Sequence, residues 1–377
     1  MDKIHRFEGP KSKKGLIMTN IVVAAYNPND LSEIKELWNT IYSPEHTEKR
    51  ANVFRHIAER NPRLSSGDLP TYFALKKDNK VIGLYGKMPF EFFYQQKTYV
   101  ANFLHDGLIS PEFRGYGLAK MVMKYIVDHS NHVIFALWMN KAQTALTAKS
   151  GYTHIKNCYS YKRIHDIRYL SSKIKVFSIP FIYYIANLLL RIWYWLRTES
   201  YYFDNYDFNR ASSFPIKHEK DLEEICKKYL IIGKRDTGYL NWKYAFLPEK
   251  KYKIYLLLRK GRLAGYVVLR TERVSPNTRK GIIVDILSDL DDEGSFETLI
   301  KNSINYFNKE KVNYTLCLCT NPSHIKILKR YGFFRSMNSQ PFMVNKWEET
   351  YDKDLLLNIS NWHLTFGDND GDVWDDL

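Results

Sequence analysis

The sequence predicts a mixed α/β fold that is used twice. From Ile21 onward, runs rich in β-branched and aromatic residues alternate with stretches of helical apolar spacing, as a mixed sheet flanked by helices requires. A set of features then recurs in the same order about 180 residues further on. The length of 377 residues suits two units of roughly 100 to 200 residues each. Hydrophobic residues make up 45%, which excludes a disordered chain. The four cysteines show no paired C-x-x-C spacing, so neither a disulfide scaffold nor a zinc site is expected, and a reducing, cytoplasmic setting is.

Residues 1–19 are polar and basic without the apolar run of a secretory leader, and read as a flexible arm. The first unit covers 20–170. In it, 71–75 and 81–86 form a hairpin turned at Asp78-Asn79, a pair that accepts positive φ. Next come a strand at 104–109, a helix at 121–129 and a strand at 133–139 that ends at Asn140. A second unit, 201–345, repeats this order. The hairpin around 80–83 returns at 262–265 after Lys260-Gly261, and Asp106 returns as Asp285. Asn140, eleven residues before Gly151-Tyr152, returns as Asn321, eleven before Gly332-Phe333.

Between the units, 171–200 is an apolar linker helix. Its apolar run at 176–190 is shorter than the roughly 20 residues that span a bilayer. It can be buried between the two units, or it can bring 173–197 to a membrane surface. In the second case Trp193, Tyr194 and Trp195 sit at headgroup depth, and Lys173, Lys175, Arg191 and Arg197 lie over anionic lipid. Burial is the expectation, because apolar helices in two-unit proteins are usually core. The net charge is +15, yet the last 37 residues hold two basic and nine acidic side chains, so the rest of the chain carries +22. The basic residues are scattered among acids rather than gathered with aromatics on one element, so a nucleic-acid partner is not expected. The acidic segment 346–377 has the wrong spacing for a calcium loop, and no metal is expected.

Residues 105–120 read His105-Asp-Gly-Leu-Ile-Ser-Pro-Glu-Phe-Arg114-Gly115-Tyr116-Gly117-Leu118-Ala119-Lys120. A strand enters a glycine-containing turn and a helix leaves it. Such a turn aims successive backbone N–H groups at one spot, and the helix N-terminus adds partial positive charge. With Arg114 and Lys120 beside it, the turn suits a pyrophosphate. Arg114-x-x-Gly117-x-Ala119 resembles the R/Q-x-x-G-x-G/A signature of the GNAT superfamily of acetyl-CoA-dependent N-acetyltransferases, and Asn140 with Gly151-Tyr152 resembles its N…GF element. The resemblance covers about 20–165 well and 215–345 as a weaker second copy. It implies two GNAT-like domains in tandem, with acetyl-CoA as co-substrate in a split between the strands 104–109 and 133–139. The pyrophosphate would rest on the amides of Gly115, Tyr116, Gly117, Leu118 and Ala119. Pantetheine would pair along Leu108 and Ile109, with Asn140 in reach of the cofactor arm. In the second unit the matching stretch, 288–294, holds four acids and no arginine, so that copy is expected to be degenerate.

Acetyl transfer to an amine needs a base for the ammonium proton and a donor for the thioester oxyanion. Asp106 and His105 are the candidate bases. Strand alternation points them to opposite faces, and a bulge in this strand, common in the family, favours Asp106. The alternative for Asp106 is a structural pairing with a Lys or Arg. The N–H of Leu108 or Ile109 would serve the oxyanion. Thr147 stands where the family's usual acid, a tyrosine, is expected; Tyr152 or Tyr161 would replace it, or the thiolate leaves unaided. Asp368 and Asp370 are expected to fold back and attract the acceptor.

The expected activity is N-acetyl transfer from acetyl-CoA to a small primary amine, with an amino sugar of surface polysaccharide synthesis fitting the resemblance. The expected location is cytoplasmic, peripheral to the inner membrane face if 173–197 is interfacial. Two other classes stay open: an aminoacyl transferase on the same scaffold drawing on aminoacyl-tRNA, and a CoA-binding module without turnover. Oligomeric state is not readable from the sequence.

Overall fold

The computed structural model describes residues 5–7, 20–67, 70–137, 139–170, 174, 176, 179–197, 205–249 and 252–368. The first half runs β1 (His5–Phe7), β2 (Ile21–Ala25), α1 (Leu31–Asn39), α2 (Pro44–Arg60), β3 (Tyr72–Lys77), β4 (Lys80–Tyr94), β5 (Lys97–Ile109), α3 (Leu118–His129), β6 (Val133–Ala136), α4 (Lys141–Lys149) and β7 (Thr153–Ile164). Helix α5 (Pro180–Arg197) follows. The second half runs β8 (Asp207–Ala211), α6 (Glu219–Lys227), β9 (Ile231–Gly233), α7 (Thr237–Leu240), β10 (Lys253–Arg259), β11 (Arg262–Ser275), β12 (Thr278–Ser288), α8 (Glu293–Lys309), β13 (Tyr314–Leu318), α9 (Pro322–Arg330) and β14 (Phe334–Asn345). The chain then forms α10 (Lys353–Leu356) and β15 (Trp362–His363).

Local chemistry accounts for the recurring features. Both hairpins turn on residues with positive φ, Asp78 and Asn79 at 50° and 65° and Lys260 and Gly261 at 50° and 78°. Asn140 and Asn321 do not end strands as expected; each caps the helix that follows. Asn140 Oδ1 accepts the Gln143 amide at 2.9 Å, and Asn321 Oδ1 accepts those of Ser323 and His324 at 3.0 and 3.2 Å. At the other ends of α4 and α9, Gly151 and Gly332 take φ of 86° and 78°, the left-handed exit that glycine permits. The Asn-to-Gly spacing is therefore helix punctuation, repeated.

The strands form one sheet in the order β1-β2-β3-β4-β5-β6-β14-β7-β13-β12-β11-β10-β8. The halves exchange their last strands. β14 of the second half pairs with β6 of the first, Met343 opposite Ala136, while β7 of the first pairs with β13 of the second, Tyr161 opposite Cys317. β7 and β14 pair with each other at the centre. An aromatic core of Phe92, Phe103, Phe135, Phe342 and Trp362 joins residues from both halves and from the C-terminal segment.

Two expectations are corrected. His5–Phe7, within the segment expected to be a flexible arm, is a strand paired with β2, because its backbone extends the sheet edge; the rest of 1–19 lies outside the described residues. Helix α5 is not buried between the halves: Phe181, Leu188 and Trp195 are exposed. The exchanged strands bring the halves into direct contact, leaving no interdomain gap for it to fill.

Candidate active site

β5 and β6 pair in parallel from Ala101 opposite Val133 to Leu104 opposite Ala136. There β6 ends, while β5 runs on to Ile109 beside β4, so the two strands part after Leu104 as the split requires. The expected strand 133–139 is thus shorter, and residue 138 lies outside the described residues. Past Ile109 the chain makes a short turn of helix at Pro111–Phe113 and reaches α3 through Gly115 and Gly117, with φ of 87° and 76°. Nothing crowds Gly115, so its backbone conformation, not space, calls for glycine. Gly117 is the N-cap of α3 and has no side chain to occupy the helix end. Leu118 and Ala119 begin the helix, where backbone N–H groups lack intrahelical partners. Arg114 Nε donates to the Ile109 carbonyl at 3.1 Å, which ties the turn to the end of β5. Lys120 is exposed, and Tyr116 and Ala119 pack on the first-half core. Asn140 spends its side-chain oxygen on the α4 cap.

The bulge is present. Gly86 faces His105 and Leu84 faces Leu108, so Tyr85 alone stands against Asp106 and Gly107. Asp106 takes φ of 46° there. Its carboxylate accepts from Arg50 Nη2, and both side chains are buried. Arg50 comes from the buried stripe of α2, with Thr47, Phe54 and Ile57, and lies 5.4 and 5.1 Å from the Trp38 and Tyr42 ring centroids. His105 is buried, with Nδ1 3.4 Å from the Tyr72 hydroxyl and its ring against Gly86, where a Cβ would overlap it. Thr147 is buried and donates back to the Gln143 carbonyl at 2.8 Å. Burial pushes the Tyr152 hydroxyl pKa up, within the first-half core. Tyr161 belongs to the second-half core through the exchanged β7.

The second half repeats the geometry with a different occupant. β12 and β13 pair up to Ile283 opposite Cys317, and β12 runs on to Ser288 past a bulge at Val284. Into this split folds the chain's own 362–368. His363 Nε2 donates to the Ile286 carbonyl of β12 at 2.8 Å, Thr320 Oγ1 donates to the Trp362 carbonyl, and the Leu364 amide donates to Thr320 Oγ1 at 3.0 Å. β15 also pairs with β9, which pairs with β4, so the segment is stitched to both halves. Past the split, the acidic loop at the start of α8 borders a cleft of about 630 Å³ that Asp289, Asp292, Glu293 and Glu297 help to line.

Asp285 follows this bulge, opposite Val268, whereas Asp106 lies within the other. Tyr266, Tyr244 and Thr365 hydroxyls donate to it at 2.8, 3.1 and 3.0 Å, and Arg235 Nη2 lies at 3.3 Å. Arg235 also donates to both carboxylate oxygens of Asp368 at 2.9 Å. Burial works against the charged form of both acids. For Asp285, Arg235 and the hydrogen bonds outweigh burial and hold it below the usual range, whereas Asp368, facing that second carboxylate, is raised. Asp368 does fold back, but its carboxylate is bonded to Arg235 and to the Thr365 amide at 2.7 Å. Asp370 lies outside the described residues.

Sequence reasoning missed Arg50, Arg235, Tyr244, Tyr266 and Thr365. A signal existed for the first: an arginine at a position of α2 that the apolar spacing assigns to the core.

Residues 31–152 match the acetyltransferase (GNAT) family. That stretch of the first half is similar to a GNAT domain. The match contains the split, the glycine turn and the bulge. The likeness in fold extends through the second half. The chain superposes on a GCN5-related N-acetyltransferase from Anabaena variabilis with a TM-score of 0.60 and 12% identity, covering 86% of this chain and 72% of that one. With Saccharomyces cerevisiae N-myristoyltransferase bound to myristoyl-CoA the TM-score is 0.57 at 10% identity, over 91% and 88%. A probable N-acyltransferase of unknown function from Enterococcus faecalis gives 0.56 at 12%, over 86% and 72%. At these identities the likeness establishes the GNAT-type fold alone. A comparison with curated proteins gave no match.

Proposed function

We propose that the GNAT-like first half transfers an acyl group, acetyl in the first instance, from CoA to a primary amine, and that the second half is a degenerate copy that binds no CoA. One observation carries this reading: the same strand split occurs twice, open to a glycine turn with positive charge in the first half and filled by 362–368 beside an acidic loop in the second. An amino sugar remains the acceptor class that fits the resemblance. A longer acyl donor is a second reading, favoured by the likeness over most of both chains to a protein bound to myristoyl-CoA.

The carboxylate of Asp106 is engaged by Arg50, as a positioning role requires. A pairing of an aspartate near the bulge with an arginine recurs as Asp285 with Arg235, in the half whose split is filled, which supports a positioning role for Asp106 and entry of the acceptor as the free amine. In an Asp106→Asn variant, a base role lowers kcat by about 10²- to 10⁴-fold in a folded enzyme. A positioning role lowers stability and leaves kcat per folded molecule within a few-fold.

Thermal shift with acetyl-CoA and myristoyl-CoA tests the donor. A ligand at 100-fold its Kd stabilises by about 2.7 kcal/mol. Gly117→Asp should abolish the shift and keep the fold, since aspartate is among the residues that enter left-handed backbone and its charge repels a phosphate. Absence of any shift with either ester would sink the reading and favour an aminoacyl-tRNA substrate. A shift without amine-dependent release of CoA would mark a binding module.

A further inference from the structure

Helix α5 is apolar on both sides and leaves a wide apolar stripe exposed. On the side toward the body Ile182, Tyr183, Ala186 and Leu190 are half-buried and Tyr194 is buried. The Tyr194 hydroxyl donates to the Ile164 carbonyl at 2.8 Å while its ring lies 3.5 Å from the Arg163 guanidinium carbon. Asn187 Oδ1 accepts the Ile167 amide at 3.0 Å, and Arg168 stands 5.2 Å from the Tyr183 ring. These residues, at 183, 187 and 194, form one narrow stripe. On the opposite side Phe181, Tyr184, Leu188, Leu189, Trp195 and Leu196 recur at helical spacing and are between 58% and 76% exposed. A contiguous apolar stripe left exposed in this way marks a surface that something covers.

The charge says what covers it. The sequence from 180 to 197 contains no aspartate or glutamate and two arginines, of which Arg191 is exposed, and Lys173 and Lys175 precede the helix in the sequence; Arg168, by contrast, is paired with Asp166. Tyrosine and tryptophan, suited to the boundary between headgroup and acyl chain, are concentrated in the same helix. No helix among the described residues is long and apolar enough to cross a membrane. An apolar stripe that cannot span, bordered by positive charge, fits the plane of an anionic bilayer surface.

We propose that α5 is an interfacial anchor that lays the protein on an anionic lipid surface through the stripe from Phe181 to Leu196. This holds whether or not the first half acylates an amine. Co-sedimentation of the full chain with vesicles of phosphatidylcholine plus phosphatidylglycerol, and with phosphatidylcholine alone, tests it. The chain should pellet with the mixed vesicles and much less with the neutral ones. Leu188→Glu with Leu189→Glu should lower the vesicle affinity at least about tenfold, and Arg191→Ala about fivefold, at the worth of one basic residue near a charged bilayer. All three positions are exposed, so melting temperatures should stay unchanged. A blue shift of tryptophan emission on vesicle addition, diminished in Trp195→Phe, would place the ring in the bilayer. The proposal is overturned by absence of vesicle binding, by equal binding to neutral vesicles, or by binding that survives the double substitution. It is equally overturned if the free chain sediments as a dimer that the double substitution dissociates, since a second copy would then be the occupant.

Discussion

Asp106 shows how a residue can be legible while its partner is not. Its type, its place on the strand and the alternative of a structural ion pair could all be read locally, but Arg50 reaches it only through the packing of α2 on the sheet. A buried pair broken on one side leaves an unpaired charge, so Arg50→Met should cost about 3 to 5 kcal/mol, and adding Asp106→Asn should recover much of it. A double-mutant cycle by urea denaturation reads this directly. Buried histidines set the acid limit. Burial brings His363 from 6.5 down to about 3, helped by Arg235, and His165 from 6.5 down to about 4, helped by Arg163. Below pH 6.5 the unfolded chain takes up protons that these folded sites refuse. Their contribution is therefore complete above 6.5 and is lost as the pH falls toward the folded values, by up to about 1.4 kcal/mol per pH unit for each site. His363→Gln, which keeps a donor for the Ile286 carbonyl, should flatten the fall in stability between pH 6 and pH 4.

At the level of elements, what was readable was local: two hairpins from turn residues, the recurring Asn-to-Gly spacing but not the helix cap that Asn140 supplies, and the glycine turn before α3. The filling of the second split was not, because a segment expected to fold back gives no sign of which split its Trp362, Leu364 and Asp368 will enter. Trp362 packs on Phe92, Phe135 and Phe342, with its indole N–H donating to the Leu356 carbonyl at 2.8 Å. Trp362→Ala should cost about 3 to 5 kcal/mol. Deleting 362–377 should cost more, yet should not open a second cofactor site, because the acidic loop before α8 remains. Calorimetry should accordingly find one acyl-CoA per chain in the parent, and two would refute the assigned asymmetry of the halves.

For the whole molecule, the repeat was legible but the pairing of its ends was not, since periodicity says that 153–164 is a strand and is silent on which strand lies beside it. The exposed linker helix escaped for a related reason: hydropathy measures how apolar a segment is, not which side of it faces the protein. Residues 1–170 and 201–377, expressed separately, should each lack a central strand and aggregate, whereas co-expression should restore a soluble complex that elutes as one species. The exchange also puts a clock on biosynthesis. β6 leaves the ribosome about 200 residues before its neighbour β14, a delay of roughly 10 to 40 s at ordinary elongation rates. Through that interval the nascent first half exposes an apolar sheet edge, so the demand for chaperones should fall on an unfinished chain and ease only when nearly all of it has been translated.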